Sequence, residues 1–207
     1  MDFEILETLA LKQGQWQNWP LHWARMQITA HHFRYPLMQM QLERDLQIFQ
    51  QTHAQDDWRV RLALSVSGQV QITALPLEKT AEPVLLALAN KPIANSVAQS
   101  DAVRFKTSYR VHYDAFQPKT AGVFDTVLFN ENDEITEGTR GNIAMKIDGR
   151  WVTPPLACGL LPGVGRALAL SQSRMTEQVV RIDELAQVEE WAFINSLRGW
   201  LNAQLQA

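Results

Sequence analysis

Residues 124–142 read FDTVLFNENDEITEGTRGN, and this stretch governs how the rest of the chain is read. Its first part, with Val123, has the apolar and β-branched character of a strand, Val123–Phe129. Its second part, Glu134-Ile135-Thr136-Glu137-Gly138-Thr139-Arg140-Gly141-Asn142, puts carboxylate, hydroxyl, guanidinium and amide groups within a few residues. Glycines among them let a backbone approach a ligand closely. Two readings stand: a polar connection between strands, or a ligand site in which one carboxylate pairs with a ring nitrogen and keeps it protonated.

Downstream, Thr153 to Arg166 reads TPPLACGLLPGVGR. Prolines fix its path, and Pro162-Gly163 precedes a predicted helix from Val164 to about Ser171. Exposed amides at a helix start suit a phosphate, although the same pattern opens many ordinary helices. It is neither a Walker loop nor a dinucleotide fingerprint, since the lysine and the third glycine are missing. Upstream lies Arg104-Phe105-Lys106-Thr107-Ser108-Tyr109-Arg110, placed at a strand-to-helix junction with the helix running from about Tyr109 to Phe116. A lysine becomes nucleophilic when burial or neighbouring cations lower its pKa, and Arg104 and Arg110 are the nearby cations; a solvated surface cluster is the plainer account.

The pattern farther out predicts an α+β chain in two parts, 1–80 and 81–207, with a charged, proline-ended seam at Leu77–Pro83. In the first part a strand at Glu4–Leu11 leads to a helix from Leu21 to about Phe33, opened by Pro20. His22, Arg25 and Thr29 share one face of it. A second helix, Leu37–Thr52, is expected to turn Leu37, Met40, Leu46 and Phe49 inward. Strands at Arg59–Val66 and Gln69–Pro76 join at Ser67-Gly68. In the second part strands are expected at Val84–Ala89, Val123–Phe129, Asn142–Ile147, Trp151–Thr153, Val179–Ile182 and Trp191–Asn195.

Composition narrows the function classes. The chain has 207 residues, 46% apolar and 20% charged, with a formal net charge of −3. That balance argues against nucleic acid as a partner. No apolar run is long enough for a membrane span, and the opening residues MDFEILETLA lack a signal-like pattern. Cys158 is the single cysteine, which fits a reducing cytoplasm. The five histidines show no ligand spacing, so no metal site is expected.

The order and spacing of these segments resemble the class IV aminotransferase family, the fold-type IV pyridoxal 5′-phosphate (PLP) enzymes. Within it the chain is most similar to the 4-amino-4-deoxychorismate lyases, as in modules fused to aminodeoxychorismate synthase. Besides residues 105–110, 124–142 and 153–166, the likeness is carried by Phe3–Leu9 (FEILETL), by His22-x-x-Arg25-Met26, and by Ile194–Trp200 (INSLRGW). It covers nearly the whole chain. Full-length members carry an extra N-terminal strand segment before the region that Phe3–Leu9 matches. This sequence begins almost at that region, as the fused modules do, and is expected to be a natural short form. Tyr109 stands where Asn is common.

The resemblance implies a two-domain fold of the D-amino-acid aminotransferase type: a small N-terminal α/β sandwich and a C-terminal mixed-sheet pseudo-barrel. It implies PLP as cofactor, carried as a Schiff base on Lys106, which also shuttles the proton. Glu137 pairs with the pyridine nitrogen. Arg25, the Val164 and Gly165 amides and the Ser196 hydroxyl reach the phosphate, in a cleft between the two halves. By position and charge, Arg140 and Arg198, with Arg104 behind them, are the candidate partners of substrate carboxylates. The implied reaction is release of pyruvate and p-aminobenzoate from aminodeoxychorismate, in folate biosynthesis. A branched-chain or D-amino-acid aminotransferase is the alternative, followed by a catalytically silent binding protein of the same fold. A homodimer is implied, and a synthase partner is worth asking about.

Overall fold

The computed structural model describes residues 3–206, which fall into two compact units. The first comprises the chain up to Lys79 together with Lys106–Tyr109; the second comprises Thr80–Phe105 and the chain from Arg110 onward.

The first unit is a two-layer α/β structure. Strands β1 (Ile5–Lys12), β2 (Gln15–Trp16), β3 (Asp57–Leu64) and β4 (Val70–Pro76) form an antiparallel sheet in the order β2-β1-β3-β4. Along β3 the pattern has period two: Val60, Leu62 and Leu64 are buried, while Arg59 and Arg61 are exposed. Helices α1 (Trp19–Phe33) and α2 (Gln39–Thr52) supply Met26, Ala30, Leu42 and Leu46 to the same core. Proline stands in the first turn of α1, where its missing N–H costs no hydrogen bond. Leu37 and Phe49 are partly buried against that core, but Met40 is 77% exposed and Leu42 takes the inward place expected of it. Leu42 and Leu46 lie one turn apart on the stripe. Met40, two residues before Leu42, is rotated about 200° around the helix.

Residues 106–108 run along β1 as a short antiparallel partner. The Leu6 amide donates to the Lys106 carbonyl and the Ser108 amide to the Glu4 carbonyl, each at 2.8 Å, with Ile5 bridged to Thr107. This pairing holds the lysine segment extended. The expected strand-to-helix junction is therefore corrected. One-turn helices α3 (Asn95–Ala98) and α4 (Asp101–Arg104) precede Lys106, and the helix after it shrinks to α5, Val111–Asp114.

The second unit is built on an eight-stranded mixed sheet. Its strands are β5 (Val84–Leu88), β6 (Val123–Phe129), β7 (Ile135–Gly138), β8 (Asn142–Ile147), β9 (Arg150–Thr153), β10 (Thr176–Glu177), β11 (Glu190–Asn195) and β12 (Gly199–Leu205). The order is β10-β9-β8-β11-β12-β5-β6-β7. The two edges are tied by one segment. Just past β10, Gln178 N–H donates to the Thr153 carbonyl; three residues later Arg181 bridges to Glu134, and the Val180 carbonyl accepts the Ile135 amide at 2.8 Å. Both end strands are thus partnered, which removes exposed edges and gives the half-barrel curl of this fold class. The strand expected at Val179–Ile182 is instead the shorter β10, ahead of a 3-10 turn at Ile182–Gln187, because residues 178–181 are spent on this closure.

One face of the sheet buries Ile143, Met145, Phe193 and Val127 in the main core. The alternate residues Ala144, Ala192 and Ile194 face a smaller cluster with Ala169 of helix α6 (Val164–Ser171). Ala144 is paired directly with Ala192, and two methyl side chains leave room for the helix to sit close. No helix among the described residues is long and apolar enough to cross a membrane.

Candidate active site

In the first unit a buried cluster joins β1 to α1. Glu7 (1% exposed) takes hydrogen bonds from Arg25 on both oxygens, Nε to Oε1 at 2.8 Å and an Nη2 to Oε2 at 2.7 Å. His22 Nδ1 lies 2.6 Å from Oε2 and must carry the proton there, because an ionised carboxylate only accepts. Burial alone pushes the Glu7 carboxyl up, but the charge and hydrogen bonds of Arg25, with those of His22, outweigh it and hold Glu7 at about 2. Arg25 is thereby fixed along one edge of its guanidinium by a counterion, with Thr29 Oγ1 bonded to its carbonyl one turn on. The shared face of His22, Arg25 and Thr29 has this physical basis. Lys106, half-buried, belongs to the same unit through its backbone pairing with β1.

In the second unit the β6–β7 hairpin presents Glu137. Asn130 shapes its turn: Oδ1 accepts the amides of Asn132 (2.9 Å) and Glu134 (3.1 Å). Phe129 pairs with Ile135, but Val127 pairs with Gly138, so β7 carries one extra residue between these points. Such a bulge breaks the alternation of a strand and re-aims its side chains. All four residues of β7 are buried in consequence, Glu137 among them at 3%. Glu137 Oε1 accepts the Tyr113 hydroxyl at 2.5 Å, and Oε2 accepts the Leu161 amide at 3.1 Å. The turn after β7 is organised by Asp125, whose carboxylate takes the Thr139 amide and hydroxyl and the Arg140 amide at 2.6–3.1 Å.

The Thr153–Arg166 loop comes to the same place. Leu161 meets Glu137 through its amide, and its carbonyl accepts Asn142 Nδ2 at 3.0 Å. Helix α6 begins at Val164 behind Gly163, with no side-chain cap for its first amides. A β-carbon on Gly163 would lie 1.9 Å from Asn142 Oδ1; one on Gly165 would lie 2.8 Å from the Asn195 carbonyl carbon. Gly163 therefore lets the helix start close on Asn142, and Gly165 lets it seat on Asn195, where the β11–β12 turn that holds Ser196 begins. Arg140 and Arg198 meet at one ring: their guanidinium carbons lie 5.0 and 6.0 Å from the centroid of Phe124. Arg140 also bonds the Phe124 carbonyl, and Arg198 the Thr80 hydroxyl. Arg104, exposed on α4, donates to Gln99 instead. Arg110 donates to the Thr139 carbonyl and stacks on Tyr113. Buried Cys158 is pushed up to about 12 by desolvation and by Glu134, so it is not a reactive thiol.

The amino-transferase class IV family matches residues 4–205. The chain belongs to the class IV aminotransferases. These are PLP-dependent enzymes, the class and cofactor expected from the sequence. A Mesorhizobium loti structure provisionally named an amino-acid aminotransferase is 32% identical, with a TM-score of 0.90, over 99% of this chain and 100% of that one. The 4-amino-4-deoxychorismate lyase of Pseudomonas aeruginosa shares the fold at 20% identity, with a TM-score of 0.80, over 98% of this chain and 82% of its own. A Schizosaccharomyces pombe protein provisionally named an aminodeoxychorismate lyase is 26% identical over 146 residues, 68% of this chain but only 63% of the yeast protein.

The class IV residues present suit that cofactor. An arginine pinned by a counterion and an uncapped helix start on a glycine-built seat are anion-binding elements. A buried carboxylate held by two donors is an acceptor of the kind a ring N–H needs, and Lys106 is an amine of the kind a Schiff base needs. The sequence alone displays no role for Glu7, Tyr113 or Asp125. Glu7 lies in the FEILETL stretch, and its strand position before a helix that carries His22 and Arg25 is the one signal of its role. Tyr113 and Asp125 act through turns and pairings that no local pattern displays.

Proposed function

We propose that the chain is a PLP-dependent 4-amino-4-deoxychorismate lyase that releases pyruvate and p-aminobenzoate. The observation that carries this reading is the pair Arg140 and Arg198 at the ring of Phe124, two cations beside one aromatic ring. A substrate with a six-membered ring and two carboxylates matches that chemistry; an amino acid with one carboxylate uses half of it. In this assignment Lys106 holds the cofactor and moves a proton at Nζ. Arg25, the Val164 and Gly165 amides and Ser196 Oγ hold its phosphate. Glu137 accepts its ring N–H. When bound, the cofactor supplies an electron sink for the bond that breaks. Arg104 stands behind as a third candidate for the substrate.

Purified protein given aminodeoxychorismate and no keto acid is expected to release fluorescent p-aminobenzoate and pyruvate in equal amounts. Lys106→Ala should lower that rate by about 10³-fold or more and abolish the near-visible band that borohydride bleaches. The second reading, an amino-acid aminotransferase, is favoured by the name given to the Mesorhizobium loti protein. Turnover sustained only when a keto acid is added would establish it instead. The sequence resemblance also supports a cytoplasmic homodimer and a synthase partner, for light scattering and co-purification to test.

A further inference from the structure

Tyr113 lies on the one-turn helix α5, and its hydroxyl makes a 2.5 Å bond to the carboxylate on which the cofactor assignment depends. It is 4% exposed. Burial first, then the charge of Glu137 and the hydrogen bond to it, raise the phenol well above its ordinary range, with Asp125 adding to this and Arg110 opposing it. The phenol therefore stays protonated and acts as a donor. Arg110 lies 4.6 Å from the Tyr113 ring and donates to the Thr139 carbonyl, bracing the ring against the turn that follows Glu137; the His112 ring lies beside it at 4.0 Å. On the other oxygen of Glu137 there is the Leu161 amide. A carboxylate offers about four lone-pair sites, so these two donors do not fill it.

We propose that Tyr113 is a positioning residue for Glu137, fixing its carboxylate in place and limiting its basicity so that a ring N–H donated to it keeps its proton. This rests on the assignment of Glu137 to the pyridine nitrogen. Losing the Tyr113 hydroxyl takes one donor from Glu137 and makes it more basic. A more basic acceptor draws the ring proton toward itself. Positive charge then leaves the cofactor, and the pH at which its lysine-linked absorbance band changes colour rises.

The test is a spectral pH titration of the PLP-loaded protein. Tyr113→Phe, which keeps the ring, is expected to raise the midpoint by about one pH unit. Replacing Tyr113 with 3-fluorotyrosine, a stronger donor that keeps the wild-type contacts, is expected to lower it. A residue that served only packing would change the melting temperature and leave both midpoints in place. Midpoints within about 0.2 unit of wild type in the fluorinated protein, or in a folded Tyr113→Phe, overturn the proposal. If wild-type protein shows no borohydride-sensitive band at all, the cofactor assignment fails instead, and the two failures are told apart.

Discussion

Glu7 shows how much of the candidate site rests on a residue with no direct chemistry to perform. Removing one partner from a buried ion pair leaves the other charge uncompensated, which costs about 3–5 kcal/mol. Glu7→Gln is therefore expected to lower stability by about 3 kcal/mol in urea denaturation, and to weaken PLP binding about tenfold in an absorbance titration, as Arg25 loses its fixed edge. Unchanged affinity in folded Glu7→Gln would remove Arg25 from the phosphate assignment. His22, Arg25 and Thr29 are legible from spacing because one helix carries all three, and three- and four-residue steps along it share a face. No periodic element links Tyr113 to Glu137, 24 residues on, or Asp125 to Thr139, 14 residues on, so neither pairing is legible.

Among elements, the legible ones are those whose burial follows a clean period. β3 alternates over Arg59–Leu62 before Ala63 is also buried, and a strand is expected there; helix α6 is expected at its observed bounds. The sequence of β7 admits two readings, a polar connection or a ligand segment; the bulge against β6 buries all four of its residues, so no alternation marks it as a strand. β12 does alternate, with Leu201 and Ala203 inward, but Gly199, Asn202 and Gln204 are weak strand formers and hid it. Helix α6 offers the sharpest test at this scale. In Gly165→Ala the new methyl meets backbone of the neighbouring turn rather than a side chain able to swing away. The helix start must move, and PLP affinity is expected to fall about tenfold while far-UV circular dichroism stays native. Retained affinity would show that this seat does not hold the phosphate.

At the scale of the whole molecule, each unit carries an acid-sensitive group among the described residues, Glu7 in the first and His112 in the second. In the second, desolvation first and the Arg110 charge next lower His112 from 6.5 to about 4, against the pull of Asp114. The unfolded chain then binds the proton more readily, so stability is full above about pH 6.5 and is lost as pH falls toward 4. His112 is only half-buried, so the slope stays below about 1.4 kcal/mol per pH unit. Glu7, lowered from 4.5 to about 2, acts in a later window: its contribution holds above pH 4.5 and is lost as pH falls toward 2. Urea midpoints measured against pH should fall in both windows; His112→Gln should flatten the first and Glu7→Gln the second. The pairing of residues 106–108 with β1 bears on how such a protein can be recombined. The first unit is discontinuous, since four of its residues are encoded in the middle of the second. A chimera that exchanges only residues up to 79 would join one parent's β1 to the other parent's lysine tetrapeptide. Incompatibility between parents should therefore surface first as loss of lysine reactivity, in proteins that still fold, and a crossover that moves Lys106–Tyr109 together with β1 should restore it.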